Sequence, residues 1–371
     1  MVDILTITII IIMISMATPL MMTMQQTQAA RTLLLKATRS FYRKHSDLIK
    51  ESHGIIHAER VYNHACRAIE SLTNTNTNTN TNSNSNSNSN SNSNSNTRRP
   101  LSTNQVLEIE VAALLHDVDD DKYFPNNTYT SSSSKHDDDN DNDIDIDIDN
   151  NKNKNDRQLR YYASLYPNAV ELMKEAKIPE SSYETILFMI DAVSCSKNGN
   201  SVPKRVSVNN NNNNNTRGDD DGDGDDENND THSNSNNNYH LLIPRWSDRI
   251  EAVGARGVWR CYQYNQEKKR PLCIQGVTPR PKSHEELWDL VVPERFEAYM
   301  STEDGKTCDN SMIGHYYDKL LHVACPPGTI VSNEYLEEKL QDSAKELVEV
   351  CLRYGRTGVV DEEYIRSFKD S

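Results

Sequence analysis

Three stretches of this chain cannot enter a hydrophobic core, and they decide what the rest can fold into. Thr73 to Asn96 alternates Thr-Asn and then Ser-Asn. Asn126 to Asn155 is Ser, Asp and Asn around a short Asp-Ile alternation. Asn198 to Asn238 is poly-Asn followed by an acidic Gly-Asp run. None carries enough apolar surface to offset the entropy of ordering it. They are read as disordered low-complexity insertions, bounded at 73–100, 126–155 and 198–238. Long surface loops add roughly 0.6 kcal/mol per doubling of length, so a fold survives around them. The 371 residues leave room for two domains, but apolar residues make up only 35%. Globular chains usually hold about 45–50%. We therefore expect one interrupted domain over 31–356, with a leader at 1–30 and a tail at 357–371.

The net charge of -15 has the same origin. Asp137 to Asp149 holds eight aspartates, and Asp219 to Asp230 holds seven more plus Glu227. These 16 acids exceed the whole imbalance, so the remaining chain is close to neutral. No basic patch stands out, and a nucleic-acid polymer is not an expected partner. The seven cysteines are scattered and odd in number, with no Cys-x-x-Cys pair. That pattern argues against a disulfide framework or a zinc finger and for a cytoplasmic or other reducing intracellular compartment. Ile4 to Met24 is apolar and uncharged, but Asp3 precedes it and no Lys or Arg does, which is wrong for a secretory signal. Targeting or anchoring by this leader stays open, and a membrane contact is expected only if the leader is retained.

What remains reads as helix. Apolar residues recur at helical spacing in Arg31–Ile49, Ile55–Leu72, Val106–Leu115, Tyr183–Val193, Met312–Val323 and Asn333–Tyr354. No run sustains a period of two. The fold class expected is all-α, a helical bundle.

The chemistry concentrates at Val111-Ala-Ala-Leu-Leu-His116-Asp117, an apolar helix that ends in adjacent His and Asp. Imidazole and carboxylate are good ligands for divalent ions. Upstream, His53, His57 and His64 share roughly one helical face, so one could ligate while the others face solvent. Downstream, Trp246 to Gly254 is read as opening a helix, with Asp248 in its first turn. Read singly, the His-Asp pair and Asp248 are each as compatible with a residue that complements a helix dipole.

Taken together, the order His, His-Asp, Asp on separate helices resembles the HD superfamily of metal-dependent phosphohydrolases. The resemblance is nearest to its bacterial-type members that act on nucleotides. His57-Ala-Glu-Arg60-Val61 is similar to their His-x-x-Arg-Val. Leu114-Leu-His116-Asp117, then Asp120 and Lys122, resembles their Leu-Leu-His-Asp and Asp-x-Lys. Ser194-Cys-Ser-Lys197 resembles their Ser-x-x-Lys. Ser247-Asp-Arg-Ile-Glu-Ala-Val-Gly-Ala255 resembles Ala-Asp-Arg-Leu-Asp-Ala-Ile-Gly-Ala, and Ser311 to Leu320 resembles Ser-x-x-x-His-Phe-Tyr-Glu-Lys-Leu. The likeness runs from about Arg31 to Gly355 without the insertions. Two positions depart from the pattern: Trp246 stands where an acid is usual, and Glu251 where a second Asp is.

The resemblance implies an HD-domain bundle with His57, His116, Asp117 and Asp248 as metal ligands. It implies one divalent ion, Mn2+ first, with Mg2+, Co2+, Ni2+ or Fe2+ as alternatives. A two-metal site of this family would need further histidines before the last Asp. Here His136 and His232 lie in the low-complexity runs and His240 borders one. Asp120 is the candidate to orient or deprotonate water, and Lys122 is its companion. Lys122, Lys197 and Arg249 are candidates to hold phosphate oxygens, and His315 and Lys319 to face the substrate. The expected activity is hydrolysis of a phosphoester or phosphoanhydride in a small phosphorylated molecule, a nucleotide first. A homodimer is left open. The alternatives are a non-catalytic metal- or nucleotide-binding or scaffolding module, and a redox enzyme that would need a second metal. Asp219 to Asp230 imitates a calcium-loop spacing, but no amphipathic helix flanks it, so we read it as a product of low complexity.

Overall fold

The computed structural model describes residues 24–74, 100–125, 150–207, 238–301, 309–324 and 331–371. Among them the chain is helical, with no strand. The leader segment, the calcium-like run, His136 and His232 lie outside the described residues. No described helix is long and apolar enough to cross a membrane. Two compact units are formed. The first runs to Asp191 and includes Asn333–Tyr335; the second comprises Ala192–Ser332 and Leu336–Ser371.

The first unit is built on α1 (Met24–Lys44), α2 (Ile55–Asn74), α3 (Thr103–Leu115), α4 (Asn150–Leu165), α5 (Pro167–Glu175) and α6 (Tyr183–Val193). Its centre is α3. Ser102 starts this helix with a capping box: its hydroxyl accepts from the Gln105 N–H, and the Gln105 side chain accepts from the Ser102 N–H. Leu107 and every residue from Ile109 to Leu115 are buried, so the helix is covered on all sides. α2 lies along it with a stripe of Ala58, Val61, Ala65 and Ala68, all fully buried. Small side chains at helical spacing let two backbones approach closely. α1 packs on α3 as well and brings Arg31 to Glu110, 2.5 Å away. Burial raises the Glu110 carboxyl above its usual value, and Arg31 offsets part of that rise.

The second unit contains short α7 (Cys195–Asn198) and α8 (Lys204–Ser207), then α9 (Ile243–Ala252), α10 (Gly254–Glu267), α11 (His284–Trp288) and α12 (Pro293–Ser301). A helix follows that runs through α13 (Met312–His315), a π turn (Tyr316–Leu320) and α14 (Leu321–Ala324). α15 (Glu334–Thr357) and α16 (Glu362–Arg366) complete the fold. Gly355 lies so close to Pro281 that a Cβ there would fall 1.7 Å from the Pro281 carbonyl oxygen.

Composition alone misplaced some insertion boundaries. Residues 150–155 begin α4, and 198–207 are structured through α8, where Val206 is buried.

Candidate metal centre

The His-Asp pair stands where α3 ends. His116 is the C-terminal cap residue, and Asp117 begins the turn after it. The His116 Nδ1 lies 2.9 Å from the Ala113 carbonyl oxygen. A carbonyl only accepts, so Nδ1 carries the proton and Nε2 presents its lone pair. That Nε2 lies 3.2 Å from the His57 Nε2, contributed by the first turn of α2. The Asp117 Oδ2 lies 3.4 Å from both ring nitrogens. His57 and His116 are 3% and 8% exposed. Three donor atoms thus converge from two packed helices with edges of 3.2 to 3.4 Å. Ligands about 2.1 Å from a common ion stand about 3.0 Å apart in an octahedron and about 3.4 Å apart in a tetrahedron. These buried groups could hold a metal ion, and their atoms are spaced for one.

The electrostatics agree. Burial pushes the Asp117 carboxyl up, but the His116 and then the His57 imidazoles outweigh it and hold it well below the usual carboxylate range. Asp120 differs: burial raises it, Lys122 lowers it, Asp117 raises it again, and the net shift is upward. Its Oδ1 accepts from the Lys122 N–H at 3.0 Å, and its Oδ2 lies 3.3 Å from the Lys122 ammonium.

Two residues to which the motifs assign no role, Asp119 and Tyr42, shape this turn together with His53. Asp119, 5% exposed, accepts from the Asn168 N–H at 3.0 Å and the Ala169 N–H at 2.9 Å. These are first-turn donors of α5, whose own cap residue, Tyr166, makes no side-chain cap bond. Asp119 therefore caps α5 across a sequence separation of some 50 residues. Nothing local distinguishes it from its neighbour Asp120. Tyr42, on α1, is 4% exposed, and its hydroxyl has no hydrogen-bond partner. Burial raises its pKa well above the usual value, and Asp117 and then Asp120 raise it further. His53 is not a solvent-facing member of a histidine stripe. It ends a 3-10 turn (Glu51–His53) before α2, half-buried between Ser52, Tyr123 and Lys122. His64 also has a protein partner, with Nδ1 2.7 Å from the Tyr335 hydroxyl.

In the second unit Asp248 is half-buried in the middle of α9, not in its first turn. Ile243 starts this helix, directly after a 3-10 turn (Tyr239–Leu242) and with Pro244 in its first turn, earlier than the motif suggests. Its position therefore owes nothing to the helix dipole. Arg249, 1% exposed, stacks over Trp246 at 4.6 Å and donates to the Asn200 side chain at 2.6 Å and to the Gly199 carbonyl. Arg245 donates to the Ala192 and Ser201 carbonyls at 2.6 and 2.7 Å. Both arginines thus clamp the segment that carries the Ser194-to-Lys197 motif, in which Lys197 is exposed. Lys319 lies in the π turn, a local widening often found at functional sites. Its ammonium stands 5.4 Å over the Tyr299 ring. Burial lowers its pKa, yet Tyr299, Cys195 and Asp248 raise it more, so it stays charged. The His315 ring lies 5.3 Å from the same tyrosine. This unit brings His315 and Lys319 to Tyr299, with Asp248 acting on the Lys319 charge and Arg249 held by its own loop.

No family model matches the chain. It is similar to an uncharacterised protein, L803, of Acanthamoeba polyphaga mimivirus, with 28% identity over 258 residues. That match covers 68% of this chain and 79% of the viral protein. Among solved structures it is similar to a Lactobacillus plantarum protein determined as a structural-genomics target. The identity is 15%, the TM-score 0.42, and the match covers 91% of this chain and 98% of that one.

Proposed function

We propose that this chain is a metal-dependent phosphohydrolase of the HD type, cleaving a phosphoester or phosphoanhydride bond of a nucleotide. The reading rests on one observation above all. The lone pair of the His116 Nε2, fixed by the Ala113 carbonyl, faces the His57 Nε2 and an ionised Asp117 at 3.2 to 3.4 Å. Mn2+ suits such a mixed nitrogen and oxygen set, as do Fe2+ and Co2+. Asp248 is the fourth ligand that the resemblance assigns. A divalent ion held there would supply hydroxide near neutral pH and polarise a phosphoryl oxygen.

The protein's own groups divide the remaining work. Asp120, with its carboxyl raised by burial, is suited to accept a proton from attacking water and pass it to the leaving group. Lys122 stands ready to neutralise a phosphate oxygen beside it. Lys319, His315 and Lys197 are assigned to the substrate by the resemblance alone. Arg249 acts by holding Gly199 and Asn200, next to Lys197 in sequence.

The test is release of phosphate or pyrophosphate from a panel of nucleoside mono- and triphosphates with Mn2+, Mg2+, Co2+ or Ni2+. Asp117→Asn is the control. Activity absent from the control supports the reading, and the product names the bond. A second reading, a non-catalytic binding module, draws on the fact that the Arg249 and Lys122 cations already have protein partners. Nucleotide bound without turnover across the panel would favour it.

A further inference from the structure

Beside the His57–His116–Asp117 triangle is a second group with ligand chemistry. Donor atoms of His53, Asp117 and Asp120 all lie within 4.8 Å of one another. The Lys122 ammonium already touches this group, 3.4 Å from the His53 Nε2 and 3.3 Å from the Asp120 Oδ2. An ammonium has only donors, so the His53 Nε2 accepts and Nδ1 carries the ring proton. Nδ1 in turn lies 3.0 Å from the Ser52 hydroxyl and 3.2 Å from the Tyr123 hydroxyl. The ring is therefore held in the tautomer a metal ligand needs, with its lone pair directed at a cation. The buried Tyr42 hydroxyl has no hydrogen-bond partner, and Asp117 and then Asp120 are the charges that act on it most strongly.

We propose that His53, Asp117 and Asp120 form a second divalent-cation position, that Asp117 serves both positions, and that the Lys122 ammonium competes for the second. This rests on the metal-binding part of the proposed function and departs from a centre of one ion. Between the His-Asp pair and Asp248 the only histidines are His136, His232 and His240, in or beside the low-complexity runs. His53 lies upstream, and only the fold brings it to Asp120. One nitrogen and two carboxylates suit Mn2+. Paired ions that share a carboxylate in hydrolases stand about 3.5–4 Å apart and can hold both the attacking and the leaving oxygen. The Lys122 side chain is 44% exposed, so it can swing into solvent as an ion enters. With Lys122 in place one ion binds tightly and the second weakly.

The experiment is a Mn2+ titration of the metal-free full chain by calorimetry, with electron paramagnetic resonance at saturation. The expected result is two ions per chain, with spin coupling between them. His53→Ala should keep the tight ion and lose the weak one together with the coupling. Lys122→Met should tighten the weak ion by about tenfold, since it removes a like charge a few ångströms away. If His53→Ala also lost the tight ion through misfolding, Asp120→Asn would be read in its place. One ion in the native chain and one in His53→Ala would overturn the second position and leave the first standing. Two ions in both would equally overturn it. No ion in the native chain would overturn both readings.

Discussion

Replacing Asp119 with alanine removes a helix cap supplied by a distant part of the chain. The carboxylate accepts two N–H groups from the first turn of α5, at 3.0 and 2.9 Å, and Ala169 is fully buried. Pro167 has no N–H to satisfy, and Tyr166 makes no side-chain cap bond, so no local group replaces what is lost. A hydrogen bond to a charged group contributes about 1.5–3 kcal/mol, and an orphaned buried donor costs about as much. Two such bonds sharing one carboxylate give an expected loss of about 3 kcal/mol. Against a typical domain stability of about 5–15 kcal/mol, the variant should still fold at 25 °C. Asp119→Asn keeps one acceptor oxygen and should lose roughly half as much. Urea unfolding monitored by circular dichroism measures both. The turn that Asp119 anchors also carries Asp117 and Asp120, so Mn2+ affinity should fall with stability. A loss under about 1 kcal/mol in Asp119→Ala would refute the argument, because it would mean that water or a neighbour caps α5 equally well.

Asp117→Asn should abolish tight Mn2+ binding, read by elemental analysis after dialysis, because the amide brings no charge to the site. Arg31→Met should destabilise by about 3 kcal/mol, since Glu110, 6% exposed, would keep a buried charge with no partner. Burial then raises the Glu110 carboxyl unopposed. The defect should be small below the unfolded pKa, where the folded state holds the proton, and should grow as pH rises through the folded pKa. Urea midpoints taken at several pH values test this, and Glu110→Gln should rescue the variant. Gly355→Ala should cost more than about 2 kcal/mol, seen as a lower Tm, because its Cβ meets backbone at Pro281 rather than a side chain that can turn away. Lys319→Ala should raise KM for a phosphorylated substrate more than it lowers kcat, if that ammonium binds ground and transition states alike.

The helices were legible because burial imposes a 3.6-residue period on whatever it covers. Tyr183–Val193 was read with the bounds the structure has, and α2 and the helix beginning at Met312 nearly so. α5, α10 and α12 were missed: each is led by Pro or Gly, which reads as a break. Adjacent His116 and Asp117 at an apolar helix end were visible as a chemical pair. Their geometry was not. The His116 tautomer depends on a carbonyl one turn back, the approach of His57 on α2 lying along α3, and the state of Asp117 on two imidazoles from different helices.

Composition and periodicity, which the chain carries residue by residue, were sufficient to determine an all-helical protein interrupted by polar runs, and a His-Asp pair worth testing. Everything that depends on what lies across a helix interface came from the tertiary structure. Asp119 and Asp120 are adjacent and identical in type, yet one caps α5 and the other faces Lys122. His53 and His64 lie on one helical period, yet one meets a lysine and the other a tyrosine. Sequence sets which atoms are present and how often they recur. Ligation, capping and proton affinity are pairwise and fall off within a few ångströms, so only the packing of distant segments selects the partner.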